Sequence, residues 1–361
     1  MTTARRKQLP DHVDAITPEW LSSVVSERFP GAAAAAVEIV DAHSGTTGRV
    51  ALRVRWNAGC ASPSALFGKL APTDRIQRQM VALTDMGRRE ARFYAALAGE
   101  MPIRVPAPIW SGWSTEPEGA QEYFMLIEDL TAAGCRFPAP GEHDAARYAE
   151  EMIDTLAALH GHFWASPRFD ADLSWIEAPM RSSYGPLLVE EGLRQFGDRM
   201  PEAFHDLARL YLEHNEAVCD WLDSGPPTLL HGDSHSGNTF FDGDRVGLLD
   251  WACVCRGPGL RDVSYYLCNS VPTKLRRERE TALLARYLEK LEAAGGQPPS
   301  LEEAWRRHRG LATCSWIAAT VTAAAGSRMQ SIETGLRAMD RSTKAILDLE
   351  TPDLLREELG L

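Results

Sequence analysis

The spacing of hydrophobic and polar positions changes several times along the chain, and each change predicts an element. Leu21, Val24 and Val25 lie at helical spacing within residues 17–28, with Thr17 as N-cap, Pro18 in the first turn and Pro30-Gly31 as the stop. The alanine run 32–36 reads as a connector. Two β runs follow, at 37–42 and 50–56, with His43-Ser44-Gly45-Thr46-Thr47-Gly48-Arg49 between them as a turn. A polar turn at 57–64 leads to a third strand at 65–70. Residues 79–98 are helical in pattern, with Phe93 and Leu97 on the buried stripe. Pro106 and Pro108 end that pattern, and two more strands are predicted at 108–114 and 121–127 around a Pro117-Glu118-Gly119 turn.

From residue 131 the pattern becomes helical. After an irregular linker at 131–142, Tyr148, Met152, Leu156, Leu159 and Phe163 recur at intervals of 4, 4, 3 and 4, which gives a helix one buried face. His160 and His162 stand two apart on that helix and share no face, so a structural role is expected of them. Residues 165–200 have little periodicity. A helix is expected over 202–223, and others around 284–291, 305–325 and 332–346. Between 228 and 251 the period shortens to a β-hairpin, 239–241 and 245–249, closed by Asp242-Gly243-Asp244. The hairpin is expected to fold back and bring Asp250 beside the loop 231–238.

Composition narrows the class without naming an activity. The chain has 361 residues, enough for two domains, and is 44% hydrophobic and 24% charged, as soluble globular proteins are. Its net charge of −12 argues against a nucleic-acid partner. No apolar run approaches the ~18 residues of a membrane span. The basic N-terminus has no apolar segment after it and does not read as a secretory signal. The seven cysteines are scattered, and Cys253-Val254-Cys255 has no matching pair, so reduced thiols in a cytoplasmic protein are expected and a zinc site is not.

The chemistry concentrates in residues 231–250. Asp233, Asn238 and Asp250 follow the order Asp-x-x-x-x-Asn, hairpin, Asp. Phosphoryl transfer from ATP needs such a set: one carboxylate to accept a hydroxyl proton, and an amide oxygen and a second carboxylate to hold Mg²⁺. Any one of these residues alone would be a polar turn residue. The loop reads H-G-D-x-H-x-G-N, and in this the chain resembles the aminoglycoside phosphotransferase and choline kinase superfamily, whose fold is related to that of protein kinases.

The resemblance implies an α+β, two-lobed, protein-kinase-like fold. A small antiparallel-sheet lobe at 1–130 would bind nucleotide, and a larger, mostly helical lobe at 131–361 would carry catalysis and substrate binding. It assigns Asp233 as catalytic base, and Asn238 and Asp250 as metal ligands, Asp250 the main one. Ser44, Gly45, Thr46, Thr47 and Gly48 would cover the phosphates, although such a string is by itself a hairpin turn. Lys69 would contact the α- and β-phosphates and Glu90 would fix it, against the alternatives of a snorkelling edge lysine and a solvated glutamate. Glu128 and Leu130 would form the hinge against the adenine. Asp262, near a helix start, would brace the catalytic loop. ATP and Mg²⁺ are the implied cofactors. A hydroxyl of a small molecule is the implied acceptor, and the chain is expected to be a monomer or homodimer.

Two departures refine this. The metal motif is Asp250-Trp251-Ala252 rather than D-F-G, and no A-P-E follows, which argues against a protein kinase. The strings REARFYAAL, LAALHGHFW and GPGLRDVSYYL resemble the ecdysteroid-kinase-like and uncharacterised phosphotransferase branches more than the antibiotic-modifying enzymes. An antibiotic-modifying phosphotransferase remains the alternative, as does a nucleotide-binding pseudokinase scaffold, which would be expected to lack Lys69, Asp233, Asn238 or Asp250. Trp175, Tyr184 and Phe196 either line an acceptor pocket or pack in a core, and with Trp316 they lean toward an apolar acceptor.

Overall fold

The computed structural model describes residues 9–44, 47–58, 62–114, 122–138, 144–326 and 331–361. Gly45, Thr46, Cys60, the Pro117-Glu118-Gly119 turn and part of the 131–142 linker lie outside them. The strands among the described residues are β1 (Ala34–Ser44), β2 (Gly48–Trp56), β3 (Ala65–Leu70), β4 (Pro108–Trp113), β5 (Tyr123–Glu128), β6 (Pro227–Leu230), β7 (Thr239–Asp242), β8 (Arg245–Leu248) and β9 (Cys255–Pro258). The chain divides into two compact units, residues 1–137 with 240–253 and residues 138–239 with 254–361.

The first unit is built on a five-stranded antiparallel sheet in the order β1-β2-β3-β5-β4. In β2 the alternation is clean: Val50, Leu52 and Val54 are buried while Arg53 and Arg55 are exposed. Helix α1 (Pro18–Val25) is capped by Thr17, whose Oγ1 accepts from the Trp20 N–H, and its Leu21, Val24 and Val25 join the strand valines in one core. Truncating a residue such as Leu21 in that core would cost about 2–5 kcal/mol. The alanine run is not a connector, because β1 begins at Ala34. The start of this edge strand is held by backbone pairing to β2 and needs no large side chains, so the alanines carried no period-2 signal.

The helix expected at 79–98 is two helices, α2 (Arg75–Thr84) and α3 (Met86–Ala96). Asp85 between them is left-handed at φ 54°, which ends one axis and starts another. Strands β7 and β8 form the expected hairpin, and Trp251 just beyond it stacks on Phe93 of α3 with centroids 4.1 Å apart.

The second unit is mostly helical: α4 (Ala145–His162), α5 (Tyr184–Phe196), α6 (Glu202–Glu213), α7 (Asn215–Asp223), α8 (Leu260–Asn269), α9 (Thr273–Ala293), α10 (Leu301–Ala325), α11 (Ile332–Asp348) and α12 (Thr351–Leu359). Helix α10 packs against α5, α8, α11 and α12, α4 packs on α9, and β6 pairs antiparallel with β9. Two expectations change here. The helix at 202–223 breaks at His214, which leaves helical geometry at φ −125°. The stretch without periodicity contains α5, where only Val189 and Gly192 are fully buried, too few to mark a stripe. Trp316 is core: it is fully buried, edge-on to Phe204 at 5.2 Å. Among the described residues no helix is long and apolar enough to cross a membrane, and Cys135, Cys219, Cys268 and Cys314 are free thiols.

Candidate active site

In the first unit the central strands present one side-chain cluster. Lys69 on β3 places Nζ 2.5 Å from Glu90 Oε2 on α3 and 2.9 Å from Asp250 Oδ1 after β8. The Lys69 and Glu90 side chains are buried, at 5% and 0% exposure. Arg49 on β2, in register with Lys69, brings Nη2 to 3.8 Å from Asp250 Oδ2. Burial works against the Lys69 ammonium, but Asp250 and Glu90 outweigh it and hold its pKa above the ordinary lysine value. Burial pushes the Glu90 carboxyl up to about 7 despite Lys69, and the nearby Asp250 charge adds to the rise. Asp250 itself has φ 64°, a left-handed conformation that costs a non-glycine residue of order 1–3 kcal/mol and that proteins keep mainly at functional sites.

The hairpin proposed over the phosphates closes with Ser44 paired to Gly48. The Ser44 Oγ accepts from the Thr73 N–H at 3.1 Å, and the buried Thr47 Oγ1 has no partner among the described residues. Gly45 and Thr46 lie outside them. At the end of β5, both Glu128 oxygens are engaged: Oε1 accepts from Arg104 Nη2 at 2.7 Å and Oε2 from the Ala107 N–H at 2.9 Å. The Glu128 N–H donates to the Ala107 carbonyl. Any hinge contact by Glu128 therefore falls to its backbone carbonyl. The Leu130 carbonyl accepts from the Cys135 N–H, and the Leu130 N–H has no acceptor among the described residues.

In the second unit the loop after β6 is pinned from beneath. Gly232 takes φ +81°, which a side chain would resist. The fully buried Asp262, in the first turn of α8, accepts from the His231 N–H at 2.7 Å and the Gly232 N–H at 3.0 Å. The Ser234 hydroxyl donates to the Asp262 carbonyl at 2.9 Å. His160 stands behind, with Nε2 3.4 Å from Asp262 and Nδ1 2.9 Å from the Tyr287 hydroxyl. Gly259 makes room for both: a β-carbon there would lie 2.4 Å from the Tyr287 oxygen and 2.8 Å from His160 Nδ1. Burial opposes the Asp262 charge, but His160 and His231 hold its pKa below the carboxylate norm.

That support aims Asp233 and Asn238 at each other. Tyr265 donates its hydroxyl to Asp233 Oδ1 at 2.7 Å. Asn238 Nδ2 donates to the Asp233 carbonyl at 2.9 Å and to Oδ2 at 3.0 Å. With two acceptors facing it, the NH₂ end of Asn238 is fixed by the network, and its Oδ1 is turned away from Asp233. His235 Nε2 is 3.5 Å from Asp233 Oδ2. Burial would raise the Asp233 pKa, but His235, Tyr265 and His231 outweigh it and hold the carboxyl well below its usual range.

Lys69, Glu90 and Asp250 thus come together in one unit, and Asp233 and Asn238 in the other. In the second unit Arg261 meets Asp223 at 2.5 Å. Sequence reasoning missed Arg49, Arg104 and Tyr265. Tyr265 offered a signal, since it lies three residues after Asp262 on the same helix and so rises from the same face.

The sheet with its lysine–glutamate pair and the helical unit with its H-G-D loop make this a kinase-like phosphotransferase, an enzyme of the small-molecule kinase class. The chain belongs to the phosphotransferase enzyme family (APH), whose profile matches residues 43–311. Among solved structures it is similar to a putative aminoglycoside phosphotransferase from Ralstonia eutropha JMP134, at 18% identity over 91% of this chain and 97% of that one, TM-score 0.52. It is also similar to choline kinase from Cryptosporidium parvum Iowa II, at 11% identity over 99% and 96%, TM-score 0.53. The GDP complex of wild-type aminoglycoside 2'-phosphotransferase-IIIa matches at 14% identity over 95% and 98%, TM-score 0.50. At these identities the likeness is one of fold. No curated protein matches the chain by sequence.

Proposed function

We propose that the chain is an ATP- and Mg²⁺-dependent O-phosphotransferase that phosphorylates a hydroxyl of a small molecule. The observation that carries the reading is the bonding of one buried lysine, Lys69, to both Glu90 and Asp250. A lysine held this way presents a fixed positive charge for the α- and β-phosphates. Residues 44–48 cover the phosphates, and the backbones of Glu128 and Leu130 meet the base. A nucleotide-binding lobe then runs to about residue 130, and a catalytic and acceptor-binding lobe follows it.

The donors fit Mg²⁺. Asp250 supplies a carboxylate and Asn238 an amide oxygen turned away from Asp233, both hard oxygen ligands of the kind that share Mg²⁺ with substrate phosphates. When bound, the metal screens phosphate charge. Asp233 orients the acceptor hydroxyl and takes its proton late. Tyr265 and Asn238 fix the carboxylate for that task, so most of the acceleration comes from positioning.

The test is Mg²⁺-dependent ATP turnover against a panel of hydroxylated small molecules, including choline, ethanolamine, aminoglycosides and sterols, with mass spectrometry of products. Asp233→Asn is expected to bind nucleotide as the wild type does and to lose about 10²- to 10⁴-fold in transfer. Transfer at the wild-type rate by the variant would remove Asp233 from the assignment. A wild-type chain that binds ATP and modifies nothing across the panel would favour a scaffold.

A further inference from the structure

Arg49 follows Gly48 at the start of β2 and stands opposite Lys69 in the β2–β3 ladder. Opposed positions in a sheet put their side chains on one face. Both cations reach Asp250, Lys69 at 2.9 Å from Oδ1 and Arg49 at 3.8 Å from Oδ2. They are held differently. Lys69 is buried and keeps a second carboxylate, Glu90. The Arg49 side chain is 42% exposed, and Asp250 is its one ion-pair partner among the described residues. At 3.8 Å that approach is longer than a hydrogen bond, so the planar fork of donors is largely uncommitted.

We propose that Arg49 is a second phosphate-binding residue, selective for the terminal phosphate of the nucleotide, and that it leaves Asp250 for that phosphate when Asp250 engages the metal. The inference rests on the nucleotide reading above. Once Asp250 is committed to a divalent cation, its pull on a guanidinium is cancelled and the two positive groups repel. Lys69 still has Glu90, whereas Arg49 needs a new anion. A phosphate offers paired oxygens that match the fork. Lys69, the deeper of the two, takes the inner phosphates, and the more exposed Arg49 is left with the outer one. An ordinary surface arginine would show none of this. Arg53, on the same strand and exposed, supplies the comparison.

Titration calorimetry with Mg²⁺ separates the cases, using ADP and the β,γ-imido analogue of ATP as probes. Arg49→Gln is expected to weaken the analogue by about 10- to 100-fold, the worth of a charged hydrogen-bonded pair, and to leave ADP nearly unchanged. Arg49→Lys, which keeps the charge and loses the fork, is expected to lower the analogue-to-ADP affinity ratio less, and it carries the test should the glutamine variant fail to fold by circular dichroism. Arg53→Gln should change neither affinity, and Lys69→Met should weaken both. Equal losses for both probes in the Arg49 variants, or no loss, would overturn the assignment while the Lys69 result left the nucleotide reading standing. A wild-type chain that binds neither probe would overturn both.

Discussion

Replacing Asp262 by asparagine isolates the support beneath the loop 231–238. Asp262 is fully buried, and its two oxygens take different donors, Oδ2 the His231 N–H at 2.7 Å and Oδ1 the Gly232 N–H at 3.0 Å. An asparagine has the same shape but only one acceptor oxygen, so one backbone N–H would face an NH₂ group. The variant loses one charge-assisted bond, about 1.5–3 kcal/mol, and leaves a buried donor orphaned, about 1–3 kcal/mol more, for a sum of about 2.5–6 kcal/mol. In a unit of this size that is roughly a 10 °C fall in melting temperature. Asp262 has a depressed pKa, so its contribution is fully present above the unfolded value near 3.8 and is lost as pH falls through the lower folded value. The deficit of the variant should therefore be full at neutral pH and shrink in acid. Asp233 is next in the chain to Gly232, and a displacement of about 1 Å can cost about 10²-fold in rate. Thermal unfolding across pH, with turnover measured well below both midpoints, checks the two effects together. A variant that melts within about 2 °C of the wild type and turns over normally would show that the loop holds itself in place without Asp262.

Two further outcomes follow from the first unit. Glu90 is raised to about 7, so the stability it contributes is complete below the unfolded value of 4.5 and is lost as pH rises through about 7; Glu90→Gln should flatten that part of the melting-temperature profile, and an unchanged slope would assign it to another group. Arg104 bonds Glu128 and Asp242, each at 2.7 Å, and its carbonyl accepts from the Leu248 N–H. Arg104→Met should cost about 1–3 kcal/mol, and a double-mutant cycle with Glu128→Gln should show a coupling of at least ~0.5 kcal/mol, whereas simple additivity would mean the pair stabilises nothing.

What could be read from the sequence was what is local. The hairpin 239–248 was legible because two β runs flank Gly243, and the lysine strand because its period and bounds are short-range. The Lys69–Glu90 pair was legible only through the order of motifs, since twenty-one residues separate the partners. Arg104 was not legible at all, because its partner Asp242 lies 138 positions away and only the fold brings them together. The break at Asp85 and the alanine start of β1 were hidden as well. Neither side-chain type prefers the conformation it adopts, and for the alanines it is pairing with β2 that holds the chain extended.

The depressed pKa of Asp233 bears on how the proposed transfer would run. A carboxylate held below its usual range is a weak base, poorly suited to removing a proton from an alcohol before reaction begins. It suits a loose transition state, in which the acceptor oxygen becomes acidic only as its bond to phosphorus forms. On this reading His235, Tyr265 and His231 keep the charge in place for orientation, and basicity is given up for geometry. The same carboxylate holds the Asn238 NH₂ and so turns the Asn238 oxygen outward. Asp233 would then align the acceptor and, through Asn238, the metal ligand. The Asp233→Asn variant separates these duties. The Asn238 NH₂ still bonds the residue 233 carbonyl at 2.9 Å, and the new amide oxygen can accept where Oδ2 did. The Asn238 amide therefore stays oriented while the carboxylate is gone, and lost transfer with intact nucleotide binding would report on the proposed base alone.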